Sequence, residues 1–181
     1  MLTPHQTETP SPWVARWAKL IRPAGEVLDL ACGYGRHARF LAARGHTVLA
    51  VDRDEAALAT LARVAGVQTV RADLEGEPWP FAPGRFDAVV VTNYLHRPLL
   101  PQLVTALRRG GVLIYETFMA GNERFGKPSN PHFLLRPNEL FDSVAAELRV
   151  VAFEQGSVSE PKPAVVQRLC AVRGSGEDVT V

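Results

Sequence analysis

The chain has 181 residues, enough for one domain with a substantial core, and its hydrophobic and charged fractions of 46% and 22% are typical of a soluble globular protein. The formal net charge of +1 argues against a dedicated nucleic-acid binder, and no apolar run is long enough to span a membrane. Two cysteines exclude a disulfide framework and a cysteine-rich zinc site, so no metal is expected. The N-terminus lacks a signal-peptide pattern, which predicts a cytoplasmic protein.

The N-terminal region contains a proline-rich stretch and then a short amphipathic pattern. Residues 11–21, SPWVARWAKLI, predict a helix with Ser11 as its cap and with Trp13 and Trp17 on one face. These tryptophans either pack on a sheet or cover a ligand as a lid. Trp13 is therefore a candidate for a substrate pocket.

A strand, a glycine-bearing turn, a helix and a second strand follow. The predicted elements are strand Val27–Leu30, turn Ala31–Gly35, helix Arg36–Arg44 and strand Thr47–Val51. Gly33 and Gly35 let the backbone bend sharply, and Asp52 is placed to accept hydrogen bonds from ribose hydroxyls. This βαβ pattern is typical of a site for a ribose-bearing cofactor.

The rest of the chain alternates helices with strands and ends in a hairpin. The predicted elements are a helix over 52–66, strands Val67–Arg71 and Asp87–Val91, helix Leu99–Leu107, strand Val112–Glu116, helix Pro137–Leu148, and strands Arg149–Gln155 and Val165–Val172. The pattern predicts an α/β fold, a single-domain Rossmann-like doubly wound sheet of seven strands, mostly parallel with an antiparallel C-terminal hairpin. The domain is predicted over residues 13–173, with flexible segments at 1–12 and 174–181.

Polar residues follow several of the predicted strands. Parallel strands end at the same edge of a sheet, so the first turn, Asp52, Asp73, the loop 93–96 and the segment after Glu116 are expected to gather there. That convergence predicts the ligand site.

The glycine spacing alone leaves the cofactor open. Residues 33–38 fit the dinucleotide pattern G-x-G-x-x-[GA], and Asp52 lies near the expected spacing, which favours NAD. Asp29 inside the first strand, Asp73 after the third strand and the terminal hairpin without a separate substrate domain all argue against NAD.

The combined motifs resemble the class I (Rossmann-like) S-adenosylmethionine-dependent methyltransferases over nearly the whole chain. The resemblance rests on VLDLACGYG, AVD, RADLE, FDAVVVTNYLH and LRRGGVLIYE, with Ala31 where the first motif often has glycine. The runs YETF, GNERFGKPSNP and FLLRPNEL resemble small bacterial methyltransferases grouped with tellurite-resistance proteins. The resemblance implies S-adenosylmethionine as methyl donor and S-adenosylhomocysteine as product.

The resemblance also implies a role for particular residues. The implied cofactor contacts are Asp29, Ala31, Cys32, Gly33 and Gly35 at the methionine moiety, Asp52 at the ribose, Arg53, Asp73 and Leu74 at the adenine, and Asn93 and Tyr94 at the sulfonium. The reaction expected is an in-line displacement of the sulfonium methyl group, with a base needed only if the acceptor carries a proton. His96 is the candidate base. The candidate substrate pocket comprises Trp13, Glu116, Phe118 and Arg124, beside a polar loop over 122–136.

The expected acceptor is a small molecule. TNYL follows the fourth strand where amino-methylating enzymes of nucleic acids have Asn-Pro-Pro-Tyr, so neither a nucleic-acid substrate nor a membrane partner is expected. Two alternatives stay open, an NAD-dependent oxidoreductase and a non-catalytic cofactor-binding regulatory module.

Overall fold

The computed structural model describes residues 9–174 as one sheet flanked by short helices. The α-helices in this range are α1 Pro12–Trp17, α2 Arg36–Ala42, α3 Glu55–Ala59, α4 Leu100–Ala106 and α5 Glu139–Asp142. The strands are β1 Glu26–Leu30, β2 Thr47–Asp52, β3 Val67–Arg71, β4 Phe86–Thr92, β5 Leu107–Phe118, β6 Leu148–Val158 and β7 Ala164–Arg173. Short 3₁₀ turns occupy Ala18–Leu20, Arg97–Leu99, Asn122–Arg124 and Pro131–Phe133.

The seven strands form one sheet in the order β3-β2-β1-β4-β5-β7-β6. The first five strands are parallel to one another, whereas β7 is antiparallel to both β5 and β6. This arrangement confirms the predicted mostly parallel sheet with an antiparallel C-terminal hairpin. The strand order reverses between β1 and β4, and such a reversal opens a crevice at the carboxyl ends of the two strands.

Helices cover both faces of the sheet. Alternate residues of β1, such as Leu28 and Leu30, face the side that α4 and α5 cover with Leu103 and Leu140. The other face carries Val27 and is covered by α1, α2 and α3. Because β1 and β4 are covered on both faces, they are almost entirely buried, as near-continuous apolar strands require.

Several predicted helices are shorter in the structure. The helix predicted over 52–66 is helical only over Glu55–Ala59, after which the chain continues in i→i+3 turns such as Leu61 N–H to Leu58 C=O at 2.9 Å. The helix predicted over Pro137–Leu148 is reduced to Glu139–Asp142. The fifth strand starts earlier than predicted, at Leu107, because a register shift against β4 extends the pairing.

Ser11 packs with the first helix, two residues before the predicted start of the domain at residue 13. Ser11 is only 3% exposed, and its Oγ accepts a hydrogen bond from Trp13 N–H at 3.1 Å as the cap of α1. Residues 1–8 of the predicted flexible segment, and 175–181 of the predicted tail, lie outside the described residues. No helix within residues 9–174 is long and apolar enough to cross a membrane.

Candidate cofactor site

A cavity of about 600 Å³ opens at the carboxyl ends of β1, β2, β3 and β4. It is lined by Ala31, Cys32, Gly33, Tyr34, Gly35, Arg36, His37, Asp52, Arg53, Asp54, Ala57, Ala72, Asp73, Leu74, Glu75, Thr92, Asn93 and Tyr94. This is the edge at which the sequence predicts the ligand site. Of the predicted cofactor residues, the structure brings all but Asp29 to the cavity wall.

The turn after β1 depends on left-handed backbone conformations. Ala31, Gly33 and Gly35 have φ values of +52°, +53° and +73°. A Cβ on Gly33 would meet no protein atom within 4 Å, whereas one on Gly35 would lie 2.4 Å from Leu61 Cδ2. Gly33 therefore leaves room on the cavity side, while Gly35 lets α2 and the Leu61 side chain approach each other.

Asp52 is held in one orientation by the backbone around it. One carboxylate oxygen accepts a hydrogen bond from Gly33 N–H at 2.8 Å, and the other accepts one from Asp54 N–H at 2.9 Å. A carboxylate oxygen can accept a second hydrogen bond, so both oxygens retain capacity for a ligand hydroxyl. The carboxylate is therefore oriented in advance for a two-acceptor contact.

The β3 end of the cavity carries acidic and apolar groups together. Asp73 Oδ1 accepts a hydrogen bond from Glu75 N–H at 3.1 Å, and the neighbouring Leu74 is buried. Burial, with the Glu75 and Asp73 carboxylates nearby, raises the pKa of the Tyr94 hydroxyl above its usual value. The sequence predicts Tyr94 at the sulfonium, but its hydroxyl lies among the charges of this β3 end, which also includes Arg53.

Asp29 lies beneath the turn rather than in the cavity wall. It is 1% exposed, and Oδ2 has no hydrogen-bond partner among the described residues. Burial raises the pKa of the Asp29 carboxyl to about 7, against the opposing effects of the Ala38 N–H and of Arg36. The alternation of side chains along β1 explains this position, since it points Asp29 into the face covered by α2.

Two cavity residues that the sequence analysis did not single out stand at the start of α2. Arg36 is half-buried, and burial lowers its pKa while the Glu116 and Asp29 carboxylates raise it. His37 is 2% exposed, and burial together with Arg36 lowers its pKa to about 3. The spacing of His37 and Leu41 on one helical face is the signal that indicates burial of His37.

The Cys32 thiol lines the cavity but stays protonated and unreactive. Burial, and then the Asp29 and Asp52 carboxylates, raise its pKa far above the usual value. A thiol held in its protonated form is a poor nucleophile. Cys170 is buried in β7, where burial again raises the thiol pKa.

Two predicted substrate-pocket residues face elsewhere. The Trp13 indole is buried against the sheet, where its Nε1–H donates to Leu169 C=O at 3.2 Å, so it packs in the core and is not a lid. Glu116 accepts hydrogen bonds from Ser11 Oγ–H at 2.7 Å and from Arg168 Nε–H at 2.5 Å. Its carboxylate is thus engaged behind the cavity wall.

The other predicted substrate and catalytic residues also lie outside the wall. Phe118 ends β5 and Arg124 is exposed, with Nε–H donating to Gly121 C=O at 3.0 Å. His96 is half-buried in the loop after β4, and its C=O accepts a hydrogen bond from Leu99 N–H at 3.0 Å. A smaller cavity of about 280 Å³ lies within the 118–136 segment, lined in part by Leu135 and Arg136.

Residues 27–111 match the model of a methyltransferase domain. This stretch contains nearly all of β1, β2 to β4 and every residue that lines the cavity. No curated protein is similar enough in sequence to match the chain. The matched region leaves out α1 and the C-terminal hairpin.

Solved structures share the fold over most of the chain. TehB from Haemophilus influenzae is 20% identical with a TM-score of 0.76, over 91% of this chain and 63% of its own, so the present chain spans less than two thirds of it. An S-adenosylmethionine-dependent methyltransferase from Mesorhizobium loti is 17% identical with a TM-score of 0.66, over 88% of this chain and 98% of its own. One from Aquifex aeolicus is 16% identical with a TM-score of 0.69, over 95% and 94%.

Proposed function

We propose that this chain is a class I S-adenosylmethionine-dependent methyltransferase that transfers the sulfonium methyl group to a small-molecule acceptor by in-line displacement. The fold and the methyltransferase-domain match of residues 27–111 support the proposal. The observation that carries the proposal is the cavity at the β1/β4 reversal, with the Asp52 carboxylate oriented between two chemically different ends.

The chemistry of the cavity supports one orientation of the donor. Asp52 would accept hydrogen bonds from the two ribose hydroxyls. Asp73 would accept one from the adenine amino group, with Leu74 packed on the ring and Arg53 at its edge. The methionine arm then runs along the turn, past Cys32 and Gly33, and the sulfonium lies near Asn93 at the end of β4.

The start of α2 supplies the charge that the methionine moiety requires. Arg36 is the cation at this end of the cavity and would pair with the methionine carboxylate. Asp29 lies beneath the turn, close enough to Arg36 and Asp52 to influence both. In its ionised form, which is populated as pH rises through about 7, it would favour the methionine ammonium group.

The acceptor is proposed to approach between the loop after β4 and the 118–136 segment. His96 in that loop serves as base if the acceptor carries a proton. The near-neutral net charge and the TNYL run support a small molecule over a nucleic acid. A cytoplasmic location and a domain bounded near residues 13 and 173 complete the proposal.

Calorimetric titration with S-adenosylmethionine tests the donor site. Wild-type protein is expected to bind in the micromolar range. Asp52→Ala removes two charge-assisted hydrogen bonds of roughly 1.5 kcal/mol each, so affinity should fall about 100-fold. Glu55→Ala is the matched control, because Glu55 is an exposed acid that starts α3 and does not line the cavity.

The same titration separates the alternatives. Binding of NAD⁺ in preference to S-adenosylmethionine would replace the proposal with an oxidoreductase. Binding of the donor without S-adenosylhomocysteine formation across a panel of thiol, amine, hydroxyl and carboxylate acceptors would favour the non-catalytic module. Equal affinity of Asp52→Ala and wild type would contradict the donor orientation.

A further inference from the structure

A chain of hydrogen bonds connects β7 to the cavity wall through the first helix. Arg168 Nε–H donates to Glu116 at 2.5 Å, and Ser11 Oγ–H donates to the other oxygen of Glu116 at 2.7 Å. Ser11 N–H in turn donates to His37 Nε2 at 3.1 Å, and His37 Nδ1 lies 3.4 Å from Thr92 Oγ1. Both His37 and Thr92 line the cavity.

The Ser11 contact determines where the imidazole proton resides. A backbone N–H is only a donor, so His37 Nε2 must be an acceptor, and the ring cannot be the imidazolium, in which both nitrogens carry protons. The remaining proton is on Nδ1 and is directed at Thr92 Oγ1. The neutral Nδ1–H tautomer is thus set by Ser11, the residue that caps α1, and not by α2, which carries the histidine.

The surroundings of His37 agree with this assignment. The His37 side chain is buried, and burial together with the neighbouring Arg36 cation lowers its pKa. Glu116 does not compensate a positive ring directly, because its two oxygens accept from Ser11 and Arg168. Asp29 of β1 raises the pKa of Arg36, which lies beside His37 at the start of α2.

We propose that Ser11 is a positioning residue for methyl transfer, which holds His37 as the neutral Nδ1–H tautomer so that no positive ring faces the sulfonium of the donor. The proposal rests on the proposed function for the position of the sulfonium, near the end of β4. An imidazolium in this wall would repel S-adenosylmethionine but not S-adenosylhomocysteine, which has a neutral sulfur. Ser11, Glu116 and Arg168 all lie outside the matched residues 27–111.

Three substitutions at residue 11 separate the contribution of the N–H from that of the hydroxyl. Ser11 has φ −56° and ψ 135°, which proline adopts without strain, so Ser11→Pro removes both the N–H and the hydroxyl. Ser11→Ala removes only the hydroxyl and is the matched control, and Ser11→Thr retains both groups. The difference between the proline and alanine variants reports the bond to His37.

Two measurements read the result. Nitrogen-15 NMR of the cofactor-free protein should show His37 as the Nδ1–H tautomer, without titration above about pH 5, in wild type and in Ser11→Ala. In Ser11→Pro the pKa of His37 should rise most of the way to its ordinary value of 6.5, so that most of the rings are protonated at pH 5.5. Calorimetry should then show that affinity for S-adenosylmethionine relative to S-adenosylhomocysteine falls at least about threefold between roughly pH 8 and pH 5.5 in Ser11→Pro alone.

The outcomes separate this inference from the proposed function. An Nε2–H tautomer in wild type, or titration of His37 near its ordinary pKa, overturns the inference without any variant, even if Ser11→Pro does not fold. An unchanged cofactor preference in a folded Ser11→Pro protein whose His37 titrates also overturns it. Failure of wild type to bind either cofactor, with the NMR result as expected, contradicts the proposed function instead.

Discussion

At the scale of single residues, Ala31 carries backbone strain that its neighbours in the turn avoid. Its φ of +52° lies in the left-handed region, where a Cβ costs roughly 1 kcal/mol. Ala31→Gly should therefore raise the free energy of unfolding by about 1 kcal/mol, measured by urea denaturation. The strain is local to the turn that joins β1 to α2.

Ala24→Gly is the control for this prediction. Ala24 has a φ of +54°, is exposed and lies at the opposite edge of the sheet, before β1. A similar gain in stability is expected for Ala24→Gly, with no change in cofactor affinity. If Ala24→Gly stabilises the protein and Ala31→Gly does not, the turn is not strained at Ala31.

Residue spacing predicted the cavity acids but not the direction of every side chain. Asp52 ends β2 and Asp73 follows the end of β3 by two residues, and those positions alone bring them to the shared edge. The directions of the Trp13 and Glu116 side chains depend on which face of α1 or β5 packs against a neighbouring element. Glu116 points to the α1 side, where Arg168 lies opposite it on β7, a register that no local pattern reveals.

At the scale of elements, Arg97 links the loop after β4 to the 118–136 segment. Its guanidinium donates to Glu139 at 2.6 and 3.0 Å, to His132 C=O at 2.8 Å and to Leu134 C=O at 2.8 Å. Burial alone would raise the pKa of Glu139, but hydrogen bonds from Arg97 and Arg136 lower it to about 2. The carboxylate therefore stays ionised, and the link persists, well into the acid range.

Arg97→Lys should loosen the segment without affecting the sheet. A lysine ammonium is a single point donor and cannot span two carbonyls and a carboxylate, so several charge-assisted hydrogen bonds are lost. Amide hydrogen exchange over residues 132–136 is expected to accelerate about tenfold or more, while exchange in β1 stays unchanged.

Arg124→Lys provides the comparison for this change. Arg124 is exposed in the same segment and donates through Nε to one carbonyl, that of Gly121. Its replacement should leave amide exchange over residues 132–136 within about twofold of wild type. Equal acceleration in both variants would show that the segment is held by packing and not by Arg97.

Element types followed from the sequence pattern more faithfully than element lengths. The alternation of strands and helices predicted the sheet, since apolar runs such as β4 can be buried only between two layers. The predicted helices that contain α3 and α5 are longer than the helices in the structure. Apolar residues at helical spacing can also pack from consecutive turns, as Leu61 does. Tertiary packing, not local propensity, sets those boundaries.

At the scale of the whole molecule, two buried groups beside the cavity oppose each other in the dependence of stability on pH. The native pKa of His37 is about 3, below its ordinary 6.5, so the unfolded chain binds a proton there that the native state does not, and stability falls as pH drops through this range. The native pKa of Asp29 is about 7, above its ordinary 3.8, so the native state holds the extra proton, and stability rises as pH drops.

The two slopes therefore cancel between roughly pH 6.5 and pH 4, each amounting to about 1.4 kcal/mol per pH unit with opposite sign. Asp29→Asn removes one of them, so the free energy of unfolding relative to wild type should decline as pH is lowered across this window. His37→Gln should show the reverse, and the double variant should parallel wild type. Urea denaturation at half-unit pH steps measures all four proteins. A profile for Asp29→Asn that parallels wild type would mean that Asp29 is ionised at neutral pH in the folded chain, and the buried carboxyl beneath the turn would then contribute a full negative charge to the methionine end of the cavity.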